Sequence, residues 1–166
     1  MKHLRPDNKF LLSHPAHLLA FGFGAGLMPK APGTWGTLVA FPIFALVRLA
    51  GGGMAAGLMA AVLVFVVGVW SSGVAGRSLG VADHGGIVID EIAAFLLVLA
   101  FTPATVGWWL IAFLLFRVFD IVKPWPINWA DRTIKGGFGV MFDDVLAAGY
   151  AIGAILLLRS LAISIF

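Results

Sequence analysis

Residues 54–74 read MAAGLMAAVLVFVVGVWSSGV, without one charged side chain. The run is about as long as the ~20 residues a helix needs to cross bilayer hydrocarbon. Just before it, Gly51-Gly52-Gly53 forms a turn that closes another apolar run, 35–50, broken only by Pro42. Beyond it lie the runs 87–101 and 106–122, parted by Thr102-Pro103, and a last run, 145–165. These five runs predict an all-α fold: a polytopic helical membrane bundle of about five spans, built as a single domain over residues 1–166. The segment 15–29 is shorter and carries glycine at positions 22, 24 and 26. It reads as an interfacial or re-entrant piece, which a membrane tolerates only where protein or water satisfies its backbone.

Composition agrees. Hydrophobic residues make up 61% of the chain and charged residues 11%, with a mean hydropathy of +1.02. A soluble domain carries about a quarter charged residues, so polar surface is too scarce here for one. The net charge of +3 comes from lysines and arginines scattered between apolar runs, not from a basic stripe, which argues against nucleic-acid binding. There is no cysteine, so disulfides, thiolate metal sites and a cysteine nucleophile are excluded. His14, Pro15 and His17 interrupt the stretch after the charged N-terminus, and no cleaved leader is expected.

If the Gly-Gly-Gly and Thr-Pro turns lie on one side of the bilayer, the loops 75–90 and 123–142 share the other. Lys2, Arg5, Lys9, Lys30, Arg77, Lys123, Arg132 and Lys135 fall on that loop side, and only Arg48 and Arg159 fall opposite. The positive-inside tendency then places the loops and the N-terminus in the cytoplasm and the C-terminus outside. Trp108, Trp109, Trp125 and Trp129 sit at span ends, as an aromatic belt requires.

Seven of the eight acidic residues lie beyond residue 80, in or beside the same loops. Clustered carboxylates at a membrane face repel one another and are costly to insert, and a divalent cation relieves both problems. Mg²⁺ favours such hard oxygen ligands. Three groups supply them. Asp83-His84-Gly85-Gly86 precedes Asp90-Glu91, whose side chains diverge by about 100° on a helix; a helix N-terminus alone accounts for one carboxylate, less well for three. Arg117, Asp120 and Lys123 recur in steps of three on one face before Pro124, either as an interfacial salt bridge or as a carboxylate ligand between two phosphate-binding cations. Gly136-Gly137-Phe138-Gly139 leads into Asp143-Asp144, either as a flexible loop with an Asp N-cap or as exposed amides suited to an anion. Lys30 and Thr34 enter the same face, where they offer contacts to a phosphate; Thr34 and Thr37 also suit helix capping. His84 is the histidine placed to donate a proton.

These residues carry a resemblance. Pro32-Gly33-Thr34 with Gly36-Thr37, Asp83-His84-Gly85, Ile87-Val88, Asp90-Glu91, Phe116-Arg117, Asp120, Lys123-Pro124-Trp125-Pro126-Ile127 and Gly136-Gly137 through Asp143-Asp144 are similar, in order and spacing, to the phosphatidylglycerophosphatase A family. The one departure noted is Ala93-Ala94, where a bulkier residue and a glycine are expected. The resemblance implies a Mg²⁺-dependent enzyme of the bacterial cytoplasmic (inner) membrane. It would hydrolyse the terminal phosphate of phosphatidylglycerophosphate to phosphatidylglycerol, with its active site facing the cytoplasm. The residues then predict Asp90, Glu91, Asp120, Asp143 and Asp144 as metal ligands and catalytic carboxylates, with His84 as a further catalytic residue. Arg117, Lys123, Lys30 and Thr34 are predicted on the phosphate. Water is the expected nucleophile in preference to an aspartyl-phosphate route, because no DxDxT pattern occurs. Two other classes use membrane carboxylates. A cation-coupled transporter would hold them at mid-bilayer, not at span ends. A phosphatidyl transferase would show a spaced Asp-Gly to Asp-Asp signature that is missing here.

Overall fold

The computed structural model describes residues 6–165, and side chains through Leu161. Lys2, His3 and Arg5, two of them counted above toward orientation, lie outside the described residues. The chain begins with two short helices, α1 (Asn8–Leu12) and α2 (Pro15–Ala20), and a 3₁₀ segment, Gly22–Leu27. Three long apolar helices follow in part: α3 (Pro32–Leu49), α4 (Met54–Leu79) and, at the end of the chain, α8 (Gly136–Ile165). Between α4 and α8 lie α5 (Ile89–Phe101), α6 (Val106–Val122) and the short α7 (Ile127–Thr133). No strand occurs among the described residues.

All five anticipated apolar helices are present and in order, but their lengths differ. The segments 32–49, 54–79 and 136–161 are the three long and apolar enough to cross a membrane. α5 has 13 residues, roughly 20 Å, well short of the ~30 Å hydrocarbon core. It is short because Ile87 and Val88 belong to the preceding loop and Thr102-Pro103 ends it. α5 is instead the buried axis of the bundle: it packs against α3, α4, α6 and α8, and nine of its residues are buried. α6 has 17 residues. Its Leu110, Leu114, Val118 and Ile121 are more than half exposed, while Ala112 and Phe116 are buried, so one apolar face points outward. In water that face would be a liability; in lipid it is the expected surface.

The segment 15–29 folds as a short helix and a 3₁₀ segment, neither long enough to cross a bilayer. α2 has six residues, about 9 Å of helix, and docks on the C-terminal end of α4. His17 fastens it there: Nε2 lies 3.0 Å from Ser78 Oγ, Nδ1 lies 3.1 Å from Phe10 O, and the ring stacks on Phe10. Val88 N donates to Ala20 O at 2.8 Å, joining this piece to the loop before α5.

Two local readings are corrected. Gly136–Gly139 is not a loop but the first turn of α8, so Asp143 and Asp144 lie two turns inside the helix instead of opening it. Those glycines serve packing: a Cβ on Gly137 would collide with Val69 O and come within 2.8 Å of Gly73 N, so α8 and α4 approach backbone to backbone. Likewise Thr34 and Thr37 do not cap α3. The helix starts at Pro32 after Ala31, which adopts a left-handed conformation with φ 49° and makes no side-chain cap. Proline at the first position suits the start, since its missing N–H would be unsatisfied anyway.

Gly137→Val therefore presses a branched side chain into backbone that cannot yield. It is expected to destabilise the protein by about 1–3 kcal/mol or more, read as a lowered unfolding midpoint in detergent. Gly107→Ala, whose Cβ would meet nothing within 4 Å, is the control that should leave the midpoint nearly unchanged.

Candidate active site

The charged residues come together where α3, α5, α6 and α8 meet. α5 carries Asp90 and Glu91 in its first turn, favourably placed against the positive end of its dipole. α8 brings Asp144, and oxygens of Asp90, Glu91 and Asp144 all lie within 4.8 Å of one another. Arg117 stands beside them on α6. Its Nη1 pairs with Asp120 Oδ2 one turn further on, lies 3.6 Å from Glu91 Oε1, and donates to Thr37 Oγ1 at 3.4 Å. Thr37 Oγ1 in turn donates to Gly33 O at 2.9 Å. One guanidinium thus ties the start of α3 to α5 and α6. Asp120 also neighbours Asp144. Of these four carboxylates, Glu91 and Asp120 meet the one cation directly.

Hydrogen bonding leaves part of this cluster unsatisfied. Asp90 Oδ1, Glu91 Oε2, Asp144 Oδ2 and Arg117 Nε are buried without a hydrogen-bond partner among the described residues. Buried unpaired polar atoms are costly and uncommon, and they gather at functional sites. Three carboxylate oxygens on one spot form the donor set that hard divalent cations take.

A second charged group adjoins the first. Lys123 ends α6 in a left-handed conformation, φ 45°, and its Nζ bonds Asp131 Oδ1 at 3.0 Å and pairs with Asp143 Oδ2. Burial disfavours the ammonium, but the hydrogen bond and charge of Asp143, with Asp131, outweigh it and hold Lys123 above its ordinary pKa. Lys123 is therefore charged at any physiological pH and is a poor proton donor. Asp83 is pushed up by burial, with Lys123 partly opposing. Asp83, Asp131, Lys135 and Asp143 line a cavity of about 20 Å³, room for roughly one water.

The anticipated residues divide accordingly. Asp90, Glu91, Asp120, Asp144 and Arg117 form one cluster, while Asp143 and Lys123 form the other. Asp90 and Glu91, expected to diverge, bring oxygens within 4.8 Å of one another, with Glu91 also reaching Arg117 on α6; it is Asp143 and Asp144 that turn to different partners. Thr37, not Thr34, reaches Arg117. Lys30 is exposed and makes no ion pair among the described residues. His84 Nδ1 accepts from Gly86 N at 3.0 Å and its ring lies against Phe21, so in the neutral ring the proton sits on Nε2. Asp131 was missed. Its eight-residue separation from Lys123 looked like loop, and only the fold-back through Pro124 and Pro126 into α7 brings the two together.

A model of the family described as phosphatidylglycerophosphatase A matches residues 18–159, from α2 to the last turns of α8. The chain belongs to that family. A phosphatidylglycerophosphatase A of Haemophilus influenzae is 44% identical over 153 residues, covering 92% of this chain and 93% of its own. One from Escherichia coli is 38% identical over 147 residues, covering 88% and 84%. A relative from Bacteroides thetaiotaomicron, provisionally named a phosphatidylinositol-3-phosphatase, is 38% identical over 140 residues, covering 81% and 87%. No solved structure matches. Membership makes the chain a phosphatase, and every cluster described above falls within the matched residues.

Gly33 has a clear place in this family site. A Cβ there would collide with Glu91 Oε1 and come within 3.2 Å of Arg117 Nη1. Gly33→Ala is expected to displace both groups and to cut phosphate release by about a hundredfold, the scale of a small misplacement of catalytic groups. The unfolding midpoint, measured on the same preparation, should fall less than that of Gly137→Val, because a carboxylate can turn aside where backbone cannot.

Proposed function

We propose that this protein removes the terminal phosphate of phosphatidylglycerophosphate, yielding phosphatidylglycerol and inorganic phosphate. The observation that carries this reading is the junction of Arg117 with the unpartnered oxygens of Asp90, Glu91 and Asp144, in a chain whose relatives are named for that reaction. A guanidinium beside a cation-binding carboxylate group is what a phosphate monoester dianion requires.

The residues fit Mg²⁺. Asp90, Glu91 and Asp144 would hold it, with Asp120 fixed next to them by Arg117. When bound it would neutralise the carboxylates, polarise the phosphate and lower the pKa of water at the site. Arg117 Nε, which has no protein partner, is the donor left to take a phosphate oxygen. Lys123 keeps positive charge at the same face and holds Asp143 and Asp131 in place. Water attacks phosphorus in line with the glycerol oxygen, and the phosphorus–oxygen bond to glycerol breaks as the new one forms. The attacking water gives up a proton to a carboxylate of the cluster, and the leaving glycerol oxygen takes one, for which His84 in its protonated, imidazolium form is the proposed donor. Lys30 and Thr34 are proposed at the outer rim, toward the headgroup.

Membership of a bacterial lipid-phosphatase family and three membrane-length apolar helices support a place in the cytoplasmic membrane. We take the charged end as cytoplasmic, from the positive residues gathered there. The natural absence of cysteine makes this simple to examine. Lys135→Cys should react with a membrane-impermeant maleimide only in inverted vesicles, and Arg48→Cys only from the periplasmic side. The reverse pattern would invert the topology.

The deciding experiment is phosphate release by purified protein in detergent, with Mg²⁺ and then with excess chelator. Release should occur with phosphatidylglycerophosphate, stop with chelator and return with Mg²⁺. Asp144→Asn should lower turnover by at least about a hundredfold, whereas Asp143→Asn should retain more activity because it sits in the Lys123 group. Release from phosphatidylinositol-3-phosphate alone would reassign the substrate, and chelator-resistant release would remove the cation.

A further inference from the structure

An apolar crevice of about 300 Å³ lies on the flank of the bundle between α4, α5 and α8. Its floor is Ala93, 2% exposed, and its rim includes Val62, 62% exposed, and Phe138, 48% exposed, so it opens outward from a closed base. Phe138 and Phe142 stack at 5.4 Å at the charged end, and Phe65 meets Phe138 edge-on at 6.1 Å. The crevice wall on α5 continues directly into the carboxylate cluster. Asp90, Ala93 and Leu97 follow one another by three and four residues and so form a single stripe along that helix. Asp90 is the head of the stripe, and Leu97 lies about 10 Å further into the apolar layer. On α8, Phe138 and Phe142 stand one turn apart immediately before Asp143 and Asp144. The crevice is thus lined wholly by apolar side chains, and the stripe on its α5 wall leads toward the proposed phosphate site.

We propose that this crevice seats one acyl chain of the phospholipid substrate while its phosphate lies at Asp90, Glu91, Asp144 and Arg117. This rests on the phosphatase reading above and adds the substrate's second half. A phosphate on a lipid headgroup must be brought down to carboxylates that lie among buried side chains. An acyl chain held on the same stripe as Asp90 supplies that register.

The test uses phosphatidylglycerophosphate bearing a diazirine near the middle of one acyl chain, incorporated at low fraction into phosphatidylcholine nanodiscs. Photolysis is followed by mapping of adducts, and phosphate release is measured in parallel. Adducts should concentrate on Leu97, Phe142 and Val62. Val62→Trp fills the open end from an exposed position the fold can spare. It should remove most of the crevice adducts and raise KM several-fold for long-chain lipid, with kcat on a dibutyryl analogue unchanged. Val62→Ala should keep the labelling. Adducts spread evenly over α4, α6 and α8, or labelling indifferent to Val62→Trp, would overturn the crevice even with phosphate release intact. Burial of this face against a second copy would do the same. Crevice labelling in a protein that releases no phosphate would uphold lipid seating and overturn the phosphatase reading instead.

Discussion

A cluster of four carboxylates with one guanidinium pairing two of them, at the junction of four apolar helices, is the arrangement on which the rest of this structure depends. Charge of this density inside a bundle is unfavourable unless partners are close and fixed. Arg117 meets that need through Glu91, Asp120 and Thr37, and Thr37 passes the constraint to the backbone of α3 through Gly33. The start of α3, the start of α5 and the end of α6 are therefore held in one register. Gly33 must be glycine for that register to exist, since any side chain would occupy the place of the Glu91 carboxylate.

Packing elsewhere serves the same geometry. α5 is buried along its length, so its first turn cannot drift relative to α3, α4 and α8. Gly137 and Gly68 let α8 and α4 approach closely, the latter through Met141, and this sets the height at which Asp144 meets Asp90. The short N-terminal helices close the charged end from outside: His17 pins α2 to Ser78, and Ala20 O receives Val88 N just ahead of α5. A lipid enzyme has to keep its polar site at the membrane surface while its body stays apolar, and here the charged residues gather at one end of the bundle around an axis that is apolar beyond its first turn.

The two charged groups divide the work by their partners. Lys123 is saturated by Asp143 and Asp131, and holds its proton too tightly to give it up. Arg117 keeps Nε free, and the carboxylates beside it keep three oxygens free. Lys123 and Asp143 satisfy one another, whereas the Arg117 group keeps unpaired valence among the described residues. That contrast separates Asp143 from Asp144, which no reading of adjacent aspartates along the chain could do.

Much was legible in the sequence because a bilayer imposes coarse rules. Uncharged runs as long as 54–74 must be helices there, turns must fall at Gly-Gly-Gly and Thr-Pro, and carboxylates so scarce and so clustered must share a face. The ordered motifs from Pro32 to Asp144 indicated the family and most of the charged residues that the fold gathers at one end. Tertiary structure alone decided the rest. Whether an apolar helix of 13 residues faces lipid or becomes the axis of a bundle depends on what surrounds it, and hydropathy is the same in both cases. Gly137 lies against the backbone of α4, where only glycine fits, and that packing is a contact the Gly136–Gly139 pattern does not disclose. Asp131 joins Lys123, and Thr37 joins Arg117, through contacts between segments far apart along the chain, and local spacing carries no record of such contacts.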